Sequence, residues 1–197
     1  NLIAGISVGS EDLYRLTPIG ALTGSGQEPD TLVSYISQVR SMLFGANINP
    51  PVGHVDTYTA WINSSNSAVI DAVDFLGMDA YPYYENTIDN SIENANEIFF
   101  SALDQTTIAS TGKPVWITET GWPVSGPTEG QAVASIQNAQ TYWDAVACNV
   151  LGKHNVWWFT LQDAPQPTTS PSFGVVGTTL SNTPLYSLTC SLSSANA

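Results

Sequence analysis

A chain of 197 residues and 21.0 kDa suits one domain of ordinary size and gives little support for two. Its 4 Lys and Arg against 17 Asp and Glu leave a formal charge of −13, and four cations cannot build the basic patch that nucleic acid or an anionic membrane requires. Charged residues total 11% while apolar residues reach 43%, which excludes disorder and leaves the surface to Ser, Thr, Asn and Gln.

Leu2 to Val8 is an apolar run stopped by Gly9 and reads as a strand. Leu32, Tyr35, Ile36, Val39 and Leu43 recur with helical spacing. Val52 to Tyr58 predicts the next strand, Ala68 to Ala72 a short helix, and Val73 to Met78 a third strand. Ile92 to Ile108 is helical, with Ile92, Ala95, Phe99, Ala102 and Leu103 on one face, and Lys113-Pro114 ends that segment. Val115 to Ile117 is a short strand, Gln131 to Leu151 the longest helix, stopped by Gly152, and Val156 to Leu161 a final strand. Five strands alternating with four helices predict an α/β fold with a parallel sheet, whose strands are apolar throughout because helices cover both faces.

No apolar run is long enough to span a membrane. The opening Asn1-Leu2-Ile3, with neither an initiator Met nor a basic leader, reads as that of a processed or truncated chain. Cys148 and Cys190 suit either two buried thiols or one bridge across about 40 residues, worth roughly 3 to 4 kcal/mol. The glycosylation sequon Asn63-Ser64-Ser65, the scarcity of Lys and the uncharged polar surface favour secretion and the bridge. Residues 191–197, rich in Ser, read as the start of a linker or tail after a domain of residues 1–190.

Sites in parallel α/β folds collect at the C-terminal ends of strands. Here these ends are acidic and aromatic: Ser10-Glu11-Asp12, Asp56-Thr57-Tyr58, Asp79-Ala80-Tyr81, Thr118-Glu119-Thr120-Gly121-Trp122 and Gln162-Asp163. Carboxylates beside aromatic rings suit a neutral polyhydroxylated ligand, since sugars stack their C–H faces on rings and bond their hydroxyls to Asp, Asn and Gln. Acidic strand ends also serve as helix caps and first-turn charges, and that reading is preferred for Asp12, Asp30 and Glu129. Glu11 and Glu119 each follow directly on an apolar strand, where side chains aim at a pocket.

Ser7-Val8-Gly9-Ser10-Glu11-Asp12-Leu13-Tyr14-Arg15, Gly77-Met78-Asp79-Ala80-Tyr81-Pro82-Tyr83 and Trp116-Ile117-Thr118-Glu119-Thr120-Gly121-Trp122-Pro123 resemble glycoside hydrolase family 17, above all its fungal cell-wall β-1,3-glucanases and glucanosyltransferases. Trp157 to Asp163 agrees, and the likeness runs to about Cys190. The resemblance implies a (β/α)8 TIM barrel with Glu11 as acid/base at the end of strand 4 and Glu119 as nucleophile at the end of strand 7. A retaining pair lies about 5 to 5.5 Å apart, so Glu11 is expected protonated and Glu119 charged at rest. Ser10 departs from the wider clan, where many members place an Asn. Tyr81 and Trp122 are the expected stacking or positioning residues, and Asp56 and Asp79 the polar supports.

Gly5-Ile6-Ser7-Val8-Gly9, with Asp144 and His154 following, matches the nucleophile elbow of an esterase, but Ser7 lies inside the apolar run rather than at a turn. His54 and His154 sit at strand starts without ligand spacing, so neither metal nor cofactor is expected. The expected function is a secreted, wall-associated, monomeric retaining endo-β-1,3-glucanase. Glucanosyl transfer and non-catalytic glucan binding are the alternatives, and a lipid anchor on a longer precursor is compatible with each. Only five strands are found, starting at the presumed fourth, so three units of roughly 30 residues each are expected to lie outside this sequence.

Overall fold

The computed structural model describes residues 2–164 and 170–190; residues 191–197, expected to begin a linker, lie outside them. It shows an α/β fold in two compact units, Asn1–Ala80 with Ala102–Thr118, and Tyr81–Ser101 with Glu119–Ala197.

In the first unit, strand β1 (Ile6–Ser10) leads through turns of 3-10 helix at Tyr14–Leu16 and Gly20–Leu22 to helix α1 (Pro29–Gly45). Pro29 opens that helix, where its missing N–H has no partner to lose, and Asp30 lies in the first turn, where the helix dipole favours negative charge. Leu32 and Ile36, one turn apart, are buried, whereas Tyr35, Met42 and Phe44 are exposed. Strand β2 (Val52–Thr57) and helix α2 (Tyr58–Trp61) follow, then helix α3 (Ser67–Ala72) and strand β3 (Phe75–Asp79). The apolar pattern gave no sign of α2, which is capped by Thr57: its Oγ1 accepts from the Ala60 N–H at 3.4 Å.

β1 pairs in parallel with β2, and β2 with β3, the second pair in unbroken register from Gly53 opposite Phe75 to Thr57 opposite Asp79. Every residue of β3 and all but the last of β2 are buried, as strands covered on both faces require. The register of β1 slips between Ser7 and Ser10, where Gly9, at φ +82°, supplies the extra residue in left-handed backbone. Gly5 and Gly53 admit a stacked pair of rings, Phe75 and Trp116, whose centroids are 3.7 Å apart. A Cβ at Gly53 would fall 2.5 Å from Phe75, and one at Gly5 2.7 Å from Trp116. Lys113 closes the end of α3, its Nζ donating to the carbonyls of Ile70, Asp71 and Val73 at 2.6, 2.9 and 2.8 Å.

Helix α4 (Ala95–Ala109) and strand β4 (Val115–Thr120) each run from one unit into the other. In the second unit the two-residue strands β5 (Thr128–Glu129) and β6 (Ala132–Val133) form a hairpin that turns at Gly130, φ +59°. Asn90, fully buried, ties it down: its amide donates to Tyr83 O at 2.9 Å and Glu129 O at 3.0 Å, and its Oδ1 accepts from Gln131 N at 2.8 Å. This hairpin corrects the expectation of one helix from Gln131 to Leu151. The helical run starts later, at α5 (Ile136–Tyr142), where Ser135 Oγ caps Asn138 N at 3.0 Å; Ala132 and Val133 before it are paired in the hairpin, and Val133 O accepts from Trp122 Nε1 at 3.0 Å. It continues through a π-helical stretch, Trp143–Ala147, into α6 (Cys148–Val150). Cys148 is bonded to Cys190. Strand β7 (Val156–Trp158) lies in the second unit, and beyond it Phe159 N donates to Thr120 O at 2.9 Å.

Candidate active site

Glu11 stands at the turn that ends β1, its backbone at φ +55°. Its N–H still bonds to Val55 O at 2.8 Å, so the turn is seated on β2. Arg15, one helical turn on, donates from Nη2 to Glu11 Oε2 at 3.1 Å and from Nη1 to Ser10 O, leaving the Glu11 side chain 22% exposed. Burial first, and the Glu11 carboxylate second, push the Tyr14 phenol above its usual range. Sequence reasoning passed over Arg15, although a cation four residues after a carboxylate, in a chain with only 4 Lys and Arg, is a signal.

Asp56 is fully buried behind this turn, accepting from Leu13 N at 2.8 Å, Tyr14 N at 3.1 Å and Thr57 N at 2.8 Å. His54, the third residue of β2, is equally buried and meets Asp56 Oδ2 through Nε2 at 3.0 Å. Asp79, 1% exposed at the end of β3, accepts from Thr118 Oγ1 at 2.7 Å. Both aspartates therefore brace strand ends from within. A cavity of about 430 Å³ opens elsewhere in the unit, lined by Leu13, Leu16, Thr17, Asp30 and Asn63 among others.

In the second unit Glu119, at the end of β4, is half-buried, and Tyr81 donates to its Oε2 at 2.7 Å. Tyr84, Phe159 and Phe173 meet the Tyr81 ring nearly edge to face at 5.9, 5.9 and 5.5 Å, which fixes its angle. Phe173 is held in turn by Asp163, whose Oδ1 accepts from Phe173 N at 3.1 Å and Gly174 N at 3.0 Å. Trp122, expected to stack on or help position a sugar, is 1% exposed, packed at 5.7 Å against both Tyr83 and Tyr142, its N–H given to Val133, so its ring face is not open for stacking. The Thr120 and Tyr142 hydroxyls meet beneath it at 2.8 Å.

Asn63 is exposed, and its Oδ1 accepts from Ser65 N at 3.1 Å and Ser65 Oγ at 2.8 Å. Ser7 gives its hydroxyl proton to Gly9 O at 2.7 Å from within β1, which disposes of the esterase arrangement. Among the described residues no three His, Cys, Asp or Glu side chains gather as a metal site would require, and no helix is long and apolar enough to cross a membrane.

The chain is 57% identical over 198 residues to a protein of Aspergillus fumigatus named probable glucan endo-1,3-beta-glucosidase eglC, a match covering 99% of this chain and 44% of that one. It thus spans about 44% of the length of that relative. Among solved structures it resembles a glycoside hydrolase family 17 beta-1,3-glucanosyltransferase from Rhizomucor miehei, with 33% identity, a TM-score of 0.78, and coverage of 95% of this chain and 65% of the other. An active-site mutant of the Rhizomucor miehei beta-1,3-glucanosyltransferase, in complex with laminaritriose, matches at 32% identity and a TM-score of 0.76, over 94% and 64% of the two chains. The family model described as BtgE/BtgC glycoside hydrolase domain matches residues 1–177. With both glutamate motifs inside that span, the chain belongs to the BtgE/BtgC glycoside hydrolase domain family.

Proposed function

We propose that the chain supplies both catalytic glutamates of a retaining endo-β-1,3-glucanase, as the strand 4 to strand 8 portion of a (β/α)8 barrel. Residues 1–190 are then the C-terminal part of one catalytic domain. The observation that carries this reading is Glu119, a carboxylate at the end of a strand whose Oε2 is gripped at 2.7 Å by Tyr81. A charge-assisted hydrogen bond of that kind orients a nucleophile without neutralising it.

In the first step a Glu119 oxygen attacks the anomeric carbon, and the glycosidic C–O bond breaks as Glu11 protonates the leaving oxygen. In the second, Glu11 takes a proton from water, whose oxygen displaces Glu119. Arg15 is a partner suited to the ionised Glu11 that begins this second step. A sugar hydroxyl in place of water gives chain transfer, an outcome favoured by the likeness to a solved glucanosyltransferase. Asp56 and Asp79 act as supports, Tyr81 as the positioning donor, and Trp122 as packing behind the nucleophile. The exposed Asn63 sequon and the Cys148–Cys190 bridge support a secreted, N-glycosylated chain; its wall association and monomeric state are part of the same proposal.

Incubating the intact enzyme with laminari-oligosaccharides tests the reading. Shorter products, abolished in Glu119→Gln, are expected, and products longer than the substrate mark transfer. Tight glucan binding without any product would overturn the enzyme reading in favour of a binding protein.

A further inference from the structure

His54 is fully buried with both ring nitrogens at hydrogen-bond distance from oxygen: Nδ1 is 2.7 Å from Val8 O and Nε2 is 3.0 Å from Asp56 Oδ2. A backbone carbonyl has no proton to give, so Nδ1 must be the donor to Val8. A neutral ring protonated there would aim the Nε2 lone pair at an Asp56 oxygen, so a proton must lie between Nε2 and Oδ2. Asp56 already accepts from the N–H groups of Leu13, Tyr14 and Thr57, the partners of an ionised carboxylate, which leaves that proton on the histidine. Trp61 closes the site from the side, its ring 5.7 Å from the imidazole and almost perpendicular to it.

We propose that His54 is a standing imidazolium paired with Asp56, and that this buried pair is the positioning device for the turn that carries Glu11. The importance given to that turn rests on the function proposed above. A buried ion pair adds little net stability, because desolvating two charges offsets their attraction. Its effect is geometric: the carboxylate grips Leu13 N and Tyr14 N, two and three residues past Glu11, while the imidazolium holds Val8, three residues before it. The turn is thereby clamped on both sides. Its other ionisable side chains are Glu11, Asp12, Tyr14 and Arg15; Asp12 Oδ2 accepts from Ser10 N at 3.1 Å.

The test needs the intact enzyme labelled with ¹⁵N-histidine. At neutral pH His54 is expected to show a proton on each ring nitrogen, and Asp56→Asn to lose the one on Nε2. A His54 ring with a single N–H in the wild type would overturn the proposal. Asp56→Asn is expected to lower kcat on laminari-oligosaccharides by about 10- to 100-fold with little change in KM, as misplacement of a catalytic group does. A folded Asp56→Asn enzyme with wild-type kcat would overturn the positioning role. An inactive wild type would count against the glucanase reading alone, since the ring protons are read without substrate. In that case unmoved Leu13 and Tyr14 amide resonances in Asp56→Asn would overturn the clamp.

Discussion

The hydroxyl of Tyr81 donates to Oε2 of Glu119 across 2.7 Å, joining two residues 38 positions apart in sequence. Three aromatic neighbours set the ring edgewise, so the O–H reaches the carboxylate without freedom to wander. Tyr81→Phe keeps those ring contacts and removes only the donor. A hydrogen bond to a charged group is worth about 1.5 to 3 kcal/mol, so under the proposed function kcat/KM for laminarin is expected to fall about 10- to 100-fold, and the melting temperature to drop by several degrees. Initial rates and thermal melts on the same samples check both halves of that expectation.

Asn90 meets four backbone groups with its single amide, Glu129 O and Gln131 N of the hairpin and Pro82 O and Tyr83 O of the 3-10 turn. Asn90→Ala leaves Tyr83 O, Glu129 O and Gln131 N without that partner, at a cost of about 2 to 4 kcal/mol. Urea denaturation should show the loss as a lower midpoint with an unchanged slope. A midpoint within error of wild type would mean that the hairpin is held by something else.

Alkaline pH offers a test of the second unit. Burial pushes the Tyr186 phenol up to about 12, a shift only partly offset by the Trp158 N–H that donates to it at 3.1 Å. An unfolded tyrosine titrates near about 10, so the folded state holds this proton longer than the unfolded one. The stabilisation is complete below the unfolded value and is lost as pH rises through the folded one. Tyr142, driven still higher chiefly by burial, acts in the same direction. Stability should therefore fall between about pH 10 and 12, and less steeply in Tyr186→Phe. Denaturant midpoints across that range measure the slope.

The five sheet strands were legible because unbroken apolar runs such as Phe75 to Met78 have no other home than a layer covered on both faces. The placement of Glu11 and Glu119 at strand ends was legible because each comes just after such a run. The hairpin at Gly130 was not, since two-residue strands carry no periodicity and Ala132-Val133 continues the helical spacing that follows. Trp122 misled because aromatic character next to a glutamate says nothing about which way the ring turns, and a core of Tyr83 and Tyr142 claims it. Asn90 escaped because its four backbone partners lie 7, 8, 39 and 41 residues away, a convergence that only the folded chain displays.

Glu11 bears its carboxyl on left-handed backbone at φ +55°, a conformation that costs an L residue roughly 1 to 2 kcal/mol and glycine almost nothing. Under the proposed role of Glu11 as acid/base, folding and catalysis pull in opposite directions at this one position. A population of variants screened for heat resistance alone would drift toward Glu11→Gly, relaxing the turn while erasing the acid. A screen that rewards turnover of β-1,3-glucan would, under the same proposal, hold the carboxyl there against that drift.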